Sequence, residues 1–472
     1  MRNASQRREP SRGARLAAGS PTVVALKRRA AIGLGRTPTG LTIVSALACV
    51  IAVGTAALLL PPATVAGQET SPLTAFFTAT SAACTTGLVV VDTADHWTAF
   101  GQVVILLLFQ IGGLGFLTGS TLVLLALGRR LGLRDRLLIH EALGEGTLGG
   151  VGSLVRRIVL FAAITEAIGA VLLTAYFWRG RSPVEAAWFG VFHSVSAFTN
   201  ASFDLMGDFG SFSDEHSPFL LLVICALIIA GGISFAVVAD CLRARRLTRL
   251  TLDSKLVLIT TAVLLGGGLV GIFVLERSNA RTFGPLSAPE ALLQSFFYAV
   301  VPRSAGFQTV PAAGFHHATV LLLTMLMFIG GAAGSTAGGI KVGSVAVLAA
   351  AVLSAMKGRT CVTVFWREVP LEAIMRALTV AVLAAALVLA ATFVLLLTET
   401  FAPLTILFEV TSAFGTVGLS TGITPDLSTI GKLVLIVMMF VGRLGPLTLA
   451  VALVQQQSDD RLHFPAGTVR IG

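Results

Sequence analysis

The sequence predicts an all-α integral membrane protein in which a unit of helix, short half-helix, tight turn and helix is repeated four times. Of its 472 residues, 55% are hydrophobic and only 12% are charged, which excludes a soluble enzyme of this size. Eight largely uncharged runs are long enough to cross a bilayer. Four other apolar segments of about a dozen residues are too short to span, so each is expected to enter the membrane and return.

The eight predicted transmembrane helices follow one another along almost the whole chain. They cover residues 41–60, 103–127, 158–178, 219–238, 256–275, an interrupted span over 320–354, 377–397 and 433–454. The basic clusters all fall on one side of these spans, at residues 27–29, 129–136, 156–157, 243–249 and 357–359. By the positive-inside rule that side is cytoplasmic, so both termini are expected in the cytoplasm and the half-helices on the outer side. The basic residues behind the formal net charge of +10 are therefore interpreted as setting the topology and contacting lipid headgroups. No nucleic-acid partner is expected.

The repeats divide the chain into six predicted segments. These are a disordered basic cytoplasmic tail at 1–38, repeat 1 at 39–136, repeat 2 at 137–250, repeat 3 at 251–359, repeat 4 at 360–457 and a cytoplasmic C-terminal tail at 458–472. The cysteines show no paired spacing and the histidines show no metal-ligand spacing, so neither a disulfide nor a transition-metal site is expected. A phosphate-binding glycine loop in a soluble strand-helix context is also missing from the sequence, and no bound cofactor is expected.

Each half-helix is followed by a tight turn of three residues. The half-helices are predicted at roughly 72–83, 184–198, 289–300 and 403–414, with a proline at or beside each start. The turns are Thr85-Thr86-Gly87, Asn200-Ala201-Ser202, Ser304-Ala305-Gly306 and Thr416-Val417-Gly418. Their carbonyl groups have no helical partners, so the turns must face a space lined by protein or water. Four such turns can close a ring around one axis, and a ring of backbone carbonyls is how proteins select a dehydrated cation.

A break follows each turn after 24 to 29 residues, within the next predicted span. The breaks are Gly112-Gly113, Gly231-Gly232, Gly330-Gly331 and Gly442-Arg443. Glycine is common in membrane helices as a packing residue, which is the alternative explanation for any single turn or break. The turn and the glycine break recur together four times at similar spacing, which favours a ring of turns over packing alone.

The third break is longer than the others and predicts an unwound loop at membrane depth. The residues expected to form a gate are Gly330, Gly331, Gly334, Ser335, Thr336, Gly338, Gly339, Lys341 and Arg443. Unwound polar backbone below the ring of turns can obstruct a pore and can also move aside.

Arg443 replaces the second glycine of the fourth break, near mid-bilayer, where an unpaired arginine is unfavourable. We hypothesise that it faces the pore below the ring, held by carbonyls of the 330–339 loop, and that the two form a gate and a cationic barrier. The alternative is a structural pairing with a carboxylate, Glu166 or Glu409. Both glutamates are interpreted as hydrogen-bonded scaffold.

These segments together resemble the Ktr, Trk and plant HKT superfamily of cation transporters. The resemblance covers about 39–454, and its motifs lie at 86–93, 109–116, 302–307, 328–341 and 442–448. The fourth turn, Thr-Val-Gly, also matches the opening of the tetrameric potassium-channel signature. An additional helix pair does not precede Leu41, which makes the chain similar to the bacterial KtrB branch.

The resemblance implies potassium uptake through a central pore of four M1-P-M2 units, in which the carbonyls of the twelve turn residues select K+. It also implies a homodimer in the cell membrane, seated on a cytoplasmic ring of KtrA-like regulatory subunits that bind ATP or ADP. Sodium is implied as an activator. Because this chain has no phosphate-binding loop of its own, nucleotide control would come from the other polypeptide.

Ser202 departs from the pattern of the bacterial members, in which glycine is usual at this place. A side chain there should restrict the local backbone or add a hydroxyl group to the ring, and the expected result is weaker rejection of sodium. The alternative is that serine adopts the same backbone and that the discrimination between the two ions is unchanged.

Three other functions are weighed against potassium uptake. One is a sodium-permeable monovalent cation transporter of the same superfamily. A second is a secondary solute symporter, because broken helices also build substrate sites in such proteins, although these usually have two long repeats and not four short ones. A membrane enzyme is not expected, because the spans lack a convergent set of nucleophile, base and metal ligands.

Overall fold

A computed structural model describes residues 39–115, 151–213, 217–244, 246–359 and 361–445 of the chain. The two predicted tails lie outside these residues, as do the basic cluster at 129–136 and the C-terminal parts of the predicted spans 103–127 and 433–454. The described part is helical, as an all-α membrane protein should be, except for one small β-hairpin.

The α-helices of the described residues are numbered here in chain order. They are α1 (Thr39–Leu58), α2 (Pro72–Ala83), α3 (Thr93–His96), α4 (Ala99–Gly113), α5 (Val151–Phe177), α6 (Pro183–Thr199), α7 (Pro218–Gly232), α8 (Phe235–Ala244), α9 (Leu252–Glu276), α10 (Ala288–Val300), α11 (His317–Phe328), α12 (Val342–Met356), α13 (Leu371–Thr398), α14 (Pro403–Gly415) and α15 (Thr429–Leu444). The two strands are β1 (Thr363–Val364) and β2 (Arg367–Glu368), and they pair antiparallel between α12 and α13.

Three helices of the described part are long and apolar enough to cross a membrane: Val155–Phe177 within α5, α9 and α13. Most of their residues are not covered by the rest of the chain, as expected of apolar helices that face lipid. Shorter apolar helices, including α1, α4, α11 and α12, lie within other predicted spans. The total of eight spans therefore stays a prediction.

The predicted span 219–238 is not one straight helix. α7 ends at Gly232, α8 begins at Phe235, and the two axes differ by 94°. The bend lies directly after the Gly231-Gly232 pair, where the sequence predicts a break. The sequence did not predict that the second half of the span would turn almost at right angles to the first.

The four half-helices agree with the predicted ones to within two residues at either end: α2, α6, α10 and α14. Each carries proline at its first or second position, where an N–H group has no partner within the helix and its absence therefore costs no helical hydrogen bond. Serine caps three of them, with Ser182-Glu185 and Ser287-Glu290 forming capping boxes. These local signals explain why such short helices start where they do.

The half-helices form the core of the described part. α2 packs on α1, α6 on α5, α10 on α9 and α14 on α13, so each half-helix contacts the helix before it. The C-terminal halves of all four are buried. Their ends therefore lie inside the protein, where carbonyl groups must find protein partners or face a lined space.

Candidate functional site

The four turns share an unusual backbone conformation. Their first residues all have left-handed φ angles: Thr85 (52°), Asn200 (56°), Ser304 (91°) and Thr416 (49°). The third residue is also left-handed in three turns: Gly87 (85°), Ser202 (64°) and Gly418 (91°). Left-handed φ values are rare for residues other than glycine. Their repetition at equivalent positions indicates one local structure built several times.

Hydrogen bonds at the ends of α2, α6 and α14 explain this conformation. In α6 the N–H of Asn200 donates to the carbonyl of Ala197, and the N–H of Ala201 donates to the carbonyl of Ser196. The same pair of bonds closes α2 and α14. This is the Schellman arrangement, in which a left-handed residue after the helix lets the next N–H groups bond the last carbonyls.

Sequence reasoning missed three serines that support the turns. Ser81 and Ser412 each accept a hydrogen bond from the glycine N–H six residues later, at 3.0 and 3.1 Å. Ser196, at the equivalent position in α6, donates to the carbonyl of Phe203 at 2.6 Å. The signal in the sequence is a Ser-Ala pair at the same offset before three of the turns, which Val300-Val301 replaces in the third.

The four turns contact one another. A Cβ atom added to Gly87 would lie 2.2 Å from Cβ of Ser202, and one added to Gly418 would lie 2.2 Å from the carbonyl oxygen of Thr86. One added to Gly306 would lie 2.3 Å from the carbonyl carbon of Gly418. The structure therefore brings the first, second, third and fourth turns to one place, and all twelve turn residues are buried there.

Ser202 connects neighbouring turns through its side chain. Its hydroxyl group donates to the carbonyl of Val417 at 2.6 Å and accepts from the N–H of Gly306 at 2.5 Å. The N–H of Gly306 also approaches the Val417 carbonyl oxygen, at 2.5 Å. The serine thus keeps a left-handed backbone and adds a hydroxyl group to the ring of turns.

The glycine breaks pack against the ends of the half-helices. A Cβ atom added to Gly112, Gly231 or Gly442 would lie 2.0, 1.8 or 1.9 Å from the carbonyl oxygen of Ala83, Phe198 or Phe414 respectively. A real Cβ atom cannot come that close, so only glycine allows these contacts. This explains the spacing of turn and break in the first, second and fourth repeats, whereas in the third an added Cβ atom at Gly330 would meet the carbonyl oxygen of Gly338 within the loop.

The third break is an extended loop that joins α11 to α12. It is closed at its neck by a parallel bridge between Ile329 and Ile340, with a hydrogen bond of 2.9 Å from the N–H of Gly330 to the carbonyl of Ile340. The loop therefore lies where the sequence predicts an unwound segment. Gly334 and its neighbour Ala333 are exposed, whereas Gly330, Gly331 and 336–340 are buried.

Carbonyl groups released by the bend between α7 and α8 accept hydrogen bonds from this loop. Gly231 accepts from the N–H of Thr336 at 3.2 Å, and Gly232 accepts from the N–H of Ala332 at 3.0 Å. A broken helix inside a membrane must satisfy its free backbone groups within the protein. Here the break of the second repeat is satisfied by the loop of the third.

The loop is also bonded to two of the turns. Nδ2 of Asn200 donates to the hydroxyl of Thr336 at 3.1 Å, and the hydroxyl of Ser304 accepts from the N–H of Gly338 at 3.2 Å. Arg303, which is 8% exposed and which sequence reasoning did not single out, donates to the carbonyl of Gly330 at 3.3 Å. The ring of turns and the loop are thus one connected set of hydrogen bonds.

Arg443 lies near the C-terminal end of α15 and contacts the loop. Its guanidinium donates to the carbonyl groups of Thr336 and Gly112, so it joins the loop to the break of the first repeat. Lys341 directs its ammonium group to the carbonyl of Ala337 at 2.5 Å, within the loop. The partners of Arg443 are carbonyl groups, and no bond to Glu166 or Glu409 is among them.

The two buried glutamates have other partners. Glu166 accepts from Nε2 of Gln110 at 2.9 and 3.1 Å, which connects α5 to α4. Glu409 accepts from Ser420, Thr421 and Thr424, all within 3.1 Å, in the segment after the fourth turn. Both sets of bonds agree with the interpretation of these carboxylates as hydrogen-bonded scaffold.

The geometry favours a site for a dehydrated monovalent cation. Backbone carbonyl groups and hydroxyl groups from four turns meet at one buried place, and the half-helices direct the negative ends of their dipoles toward it. A group of three or more side chains that could hold a metal ion does not occur among the described residues.

The pattern of the TrkH family, described as cation transport proteins, matches residues 26–463. The Ktr system potassium uptake protein B of Bacillus subtilis is 40% identical over 422 residues, covering 89% of this chain and 94% of that protein. The potassium/sodium uptake protein NtpJ of Enterococcus hirae is 39% identical over 425 residues, with the same coverage. The crystal structure of the potassium transporter TrkH from Vibrio parahaemolyticus has a similar fold, with a TM-score of 0.70, 20% identity and coverage of 90% and 87%.

Proposed function

The chain belongs to the TrkH family of cation transport proteins, and from this premise we propose that it is the ion-translocating subunit of a potassium uptake system. The observation that carries the proposal is the meeting of four turns of like conformation at one buried place. The names of the relatives describe transport and not an enzymatic reaction.

In this proposal the protein consists of four M1-P-M2 units around a central pore. Potassium ions lose their water at the turns, where carbonyl oxygens of the twelve turn residues take its place. Support comes from the left-handed residues, which occupy the first position of all four turns and the third position of the first, second and fourth. The buried Schellman ends of α2, α6 and α14 hold these groups in place without lining the pathway with charged side chains.

A sodium-permeable cation transporter is the second candidate. The observation that favours it is the hydroxyl group of Ser202, which occupies a place between the third and fourth turns. A hydroxyl oxygen on a flexible side chain can follow a smaller ion more easily than a fixed carbonyl group can. One relative is named for uptake of both potassium and sodium.

The loop between α11 and α12 forms the gate in this proposal, together with Arg443. The guanidinium holds the Thr336 carbonyl below the turns, so the loop and a fixed positive charge both oppose the passage of a cation. Opening requires the loop to exchange its bonds with Arg443, Asn200 and the Gly231 carbonyl.

The gate can be tested with Arg443→Gln and with a chain shortened within 334–336. Both changes should raise rubidium flux into proteoliposomes several-fold, because each removes part of the obstruction. Arg277→Gln is the matched control, since Arg277 also approaches backbone carbonyl groups but lies at the outer end of α9. Flux that stays at the native level in both variants would show that the loop is not the gate.

We further propose that the chain is a multi-pass protein of the cell membrane with both termini in the cytoplasm. It acts as a homodimer on a cytoplasmic ring of KtrA-like subunits that bind ATP or ADP, and sodium activates it. Two relatives are named as protein B of a Ktr system, which supports a membrane subunit that works with other components.

The function is tested by rescue of potassium-limited growth in a host that lacks its own uptake systems. Rubidium uptake into the same cells gives the direct measurement, and radioactive sodium uptake separates the two candidates. Rescue with little sodium uptake supports the potassium transporter. Equal uptake of both ions supports the second candidate, and no uptake of either by well-expressed protein contradicts both.

A further inference from the structure

The hairpin between α12 and α13 has an unusual turn. Thr363 pairs with Glu368 and Val364 pairs with Arg367, which leaves Phe365 and Trp366 as the two central residues. Both have left-handed φ angles, 48° and 64°. A two-residue turn with two positive φ angles normally uses asparagine, aspartate or glycine. Bulky residues there are strained, so two adjacent aromatic residues call for an explanation.

Packing inside the protein does not provide that explanation. Trp366 is fully exposed, at 104% of its reference area, and Phe365 is 45% exposed. Nζ of Lys255 lies 5.9 Å from the centroid of the Phe365 ring, in a cation–π contact. The turn therefore holds two aromatic side chains outward, away from the core.

The hairpin lies between α12, an apolar helix of the predicted span 320–354, and α13, which is long and apolar enough to cross a membrane. α12 ends at Met356 and α13 begins at Leu371, and these two side chains are 79% and 72% exposed. Residues 357–376 contain four basic side chains against two acidic ones, Glu368 and Glu372; the basic ones are Lys357, Arg359, Arg367 and Arg376. Aromatic residues flanked by basic residues are typical of the boundary between a membrane and water.

We propose that the hairpin is a lipid-binding site that inserts Phe365 and Trp366 among the headgroups of anionic lipids. Lys357 and Arg367 would attract the lipid phosphates, and the aromatic rings would lie at the headgroup level. The leaflet is the cytoplasmic one if the proposed topology is right. A soluble protein partner would also need exposed aromatic residues, but the closeness of the membrane helices and the basic surround favour lipid.

The test measures tryptophan fluorescence of the full chain in nanodiscs of brominated phosphatidylglycerol or brominated phosphatidylcholine. Subtracting the emission of Trp366→Phe isolates the signal of Trp366 from those of the other three tryptophans. We expect quenching several-fold stronger in the phosphatidylglycerol discs, and we expect Lys357→Gln combined with Arg367→Gln to make the two discs equal. The measurement does not involve transport, so its failure would leave the proposed function intact.

A second variant separates lipid binding from a structural role. Phe365→Asn combined with Trp366→Gly creates a turn that suits the left-handed backbone, so thermal stability in detergent should not fall. Addition of phosphatidylglycerol should raise the melting temperature of the native chain more than that of this variant.

Three results would overturn the proposal. Equal quenching of the native chain in both discs would show that anionic headgroups are not recognised. Full quenching of Trp366 by iodide in the surrounding water would show that the ring is not in the membrane. Protection from iodide only after addition of soluble cell proteins would assign the hairpin to a protein partner.

Discussion

The hydroxyl group of Ser202 lies at the third position of the second turn, where the other three turns have glycine. It accepts a hydrogen bond from the N–H of Gly306 in the third turn and donates one to the carbonyl of Val417 in the fourth turn. A cation coordinated by that carbonyl has to compete with the hydroxyl group for the same oxygen. If the turns bind the ion as proposed, serine at this position is expected to affect ion binding directly.

Ser202→Gly should raise the ratio of potassium uptake to sodium uptake, by a few-fold, because it removes the hydroxyl group and leaves a left-handed backbone intact. Ser202→Ala separates the effect of the hydroxyl group from that of the Cβ atom, since it removes the hydroxyl group but keeps Cβ. Uptake of rubidium and radioactive sodium in the same cells gives the ratio. If both variants match the native ratio, the hydroxyl group does not contribute to selectivity.

Asp204 follows the second turn, in the connection between α6 and α7 that is predicted to lie on the outer side. Burial and the neighbouring charge of Asp92 raise the pKa of Asp204 to about 6. Because the pKa of this acid is raised, the carboxylate is charged above about pH 6 and neutral below it. If cations reach the turns past this residue, the ionised carboxylate should attract them and the neutral acid should not.

Lowering the outer pH through 6 should therefore raise the half-saturating potassium concentration a few-fold. Asp204→Asn should raise it already at pH 8 (roughly two units above that pKa, where the native carboxylate is ionised) and should remove the pH dependence. Rubidium uptake by cells at a series of outer pH values measures this. A native-like pH dependence in Asp204→Asn would assign the effect to another group.

Among the helices, glycine has two separate uses. At the breaks it allows a helix to touch the end of a half-helix, as Gly231 does with the carbonyl of Phe198. Within α9, Gly266 and Gly267 have no atom within 4 Å of an added Cβ, and both are exposed. The same residue type is thus essential in one helix and replaceable in the other.

Gly231→Ala should destabilise the protein by about 1–3 kcal/mol, because its Cβ would overlap the Phe198 carbonyl and the helix would have to move. Gly266→Ala is the matched control and should leave stability equal or slightly higher, since alanine favours the helix. Thermal unfolding in detergent measures both. Equal melting temperatures for the two variants would contradict the assigned contact at the break.

The sequence predicts the half-helices, the turns and the breaks because each needs a particular residue type. Proline marks the starts, and glycine marks the places where two backbones touch, although the left-handed first residues of the turns are not glycine. In the first, second and fourth repeats, the spacing of turn and break follows from the contact between the break glycine and the end of the half-helix. These features depend on local chemistry, which a single sequence records.

Partners from distant parts of the chain can be predicted only in part. The sequence predicts that carbonyl groups of the 330–339 loop hold the Arg443 guanidinium, and Thr336, 107 residues away, is one of that loop's residues. The bond to Gly112, 331 residues away, is not predicted, because nothing in the local pattern encodes it. The 94° bend after α7 is not predicted either, because the carbonyl groups that it frees are bonded by the loop of another repeat. The serines that support the turns bond within their own repeats, so the local Ser-Ala pattern could have indicated them.

At the scale of the whole molecule, the predicted topology can be checked with cysteine chemistry. Cys241 and Cys361 are exposed and follow or precede basic segments of the chain, and Gly180 lies in the connection between α5 and α6. The positive-inside rule assigns the two cysteines to the cytoplasmic side and Gly180 to the outer side. This assignment can be checked without any transport measurement.

A membrane-impermeant maleimide added to intact cells should label Gly180→Cys and should not label the native chain. An added Cβ at Gly180 meets no atom within 4 Å, so this variant should fold normally. In inverted vesicles the native Cys241 and Cys361 should react. Labelling of the native chain in intact cells would reverse the topology.

The bonds between the bend of α7 and the loop before α12 have a consequence for biosynthesis. Carbonyl groups of the second repeat remain without partners until the third repeat has been made, and the loop lacks its arginine until the fourth has followed. The ribosome delivers these segments in that order. The loop before α12 is therefore expected to be among the last parts of the protein to reach its final arrangement. If it is the gate as proposed, a nascent chain that stops after the third repeat lacks the arginine that holds the gate shut.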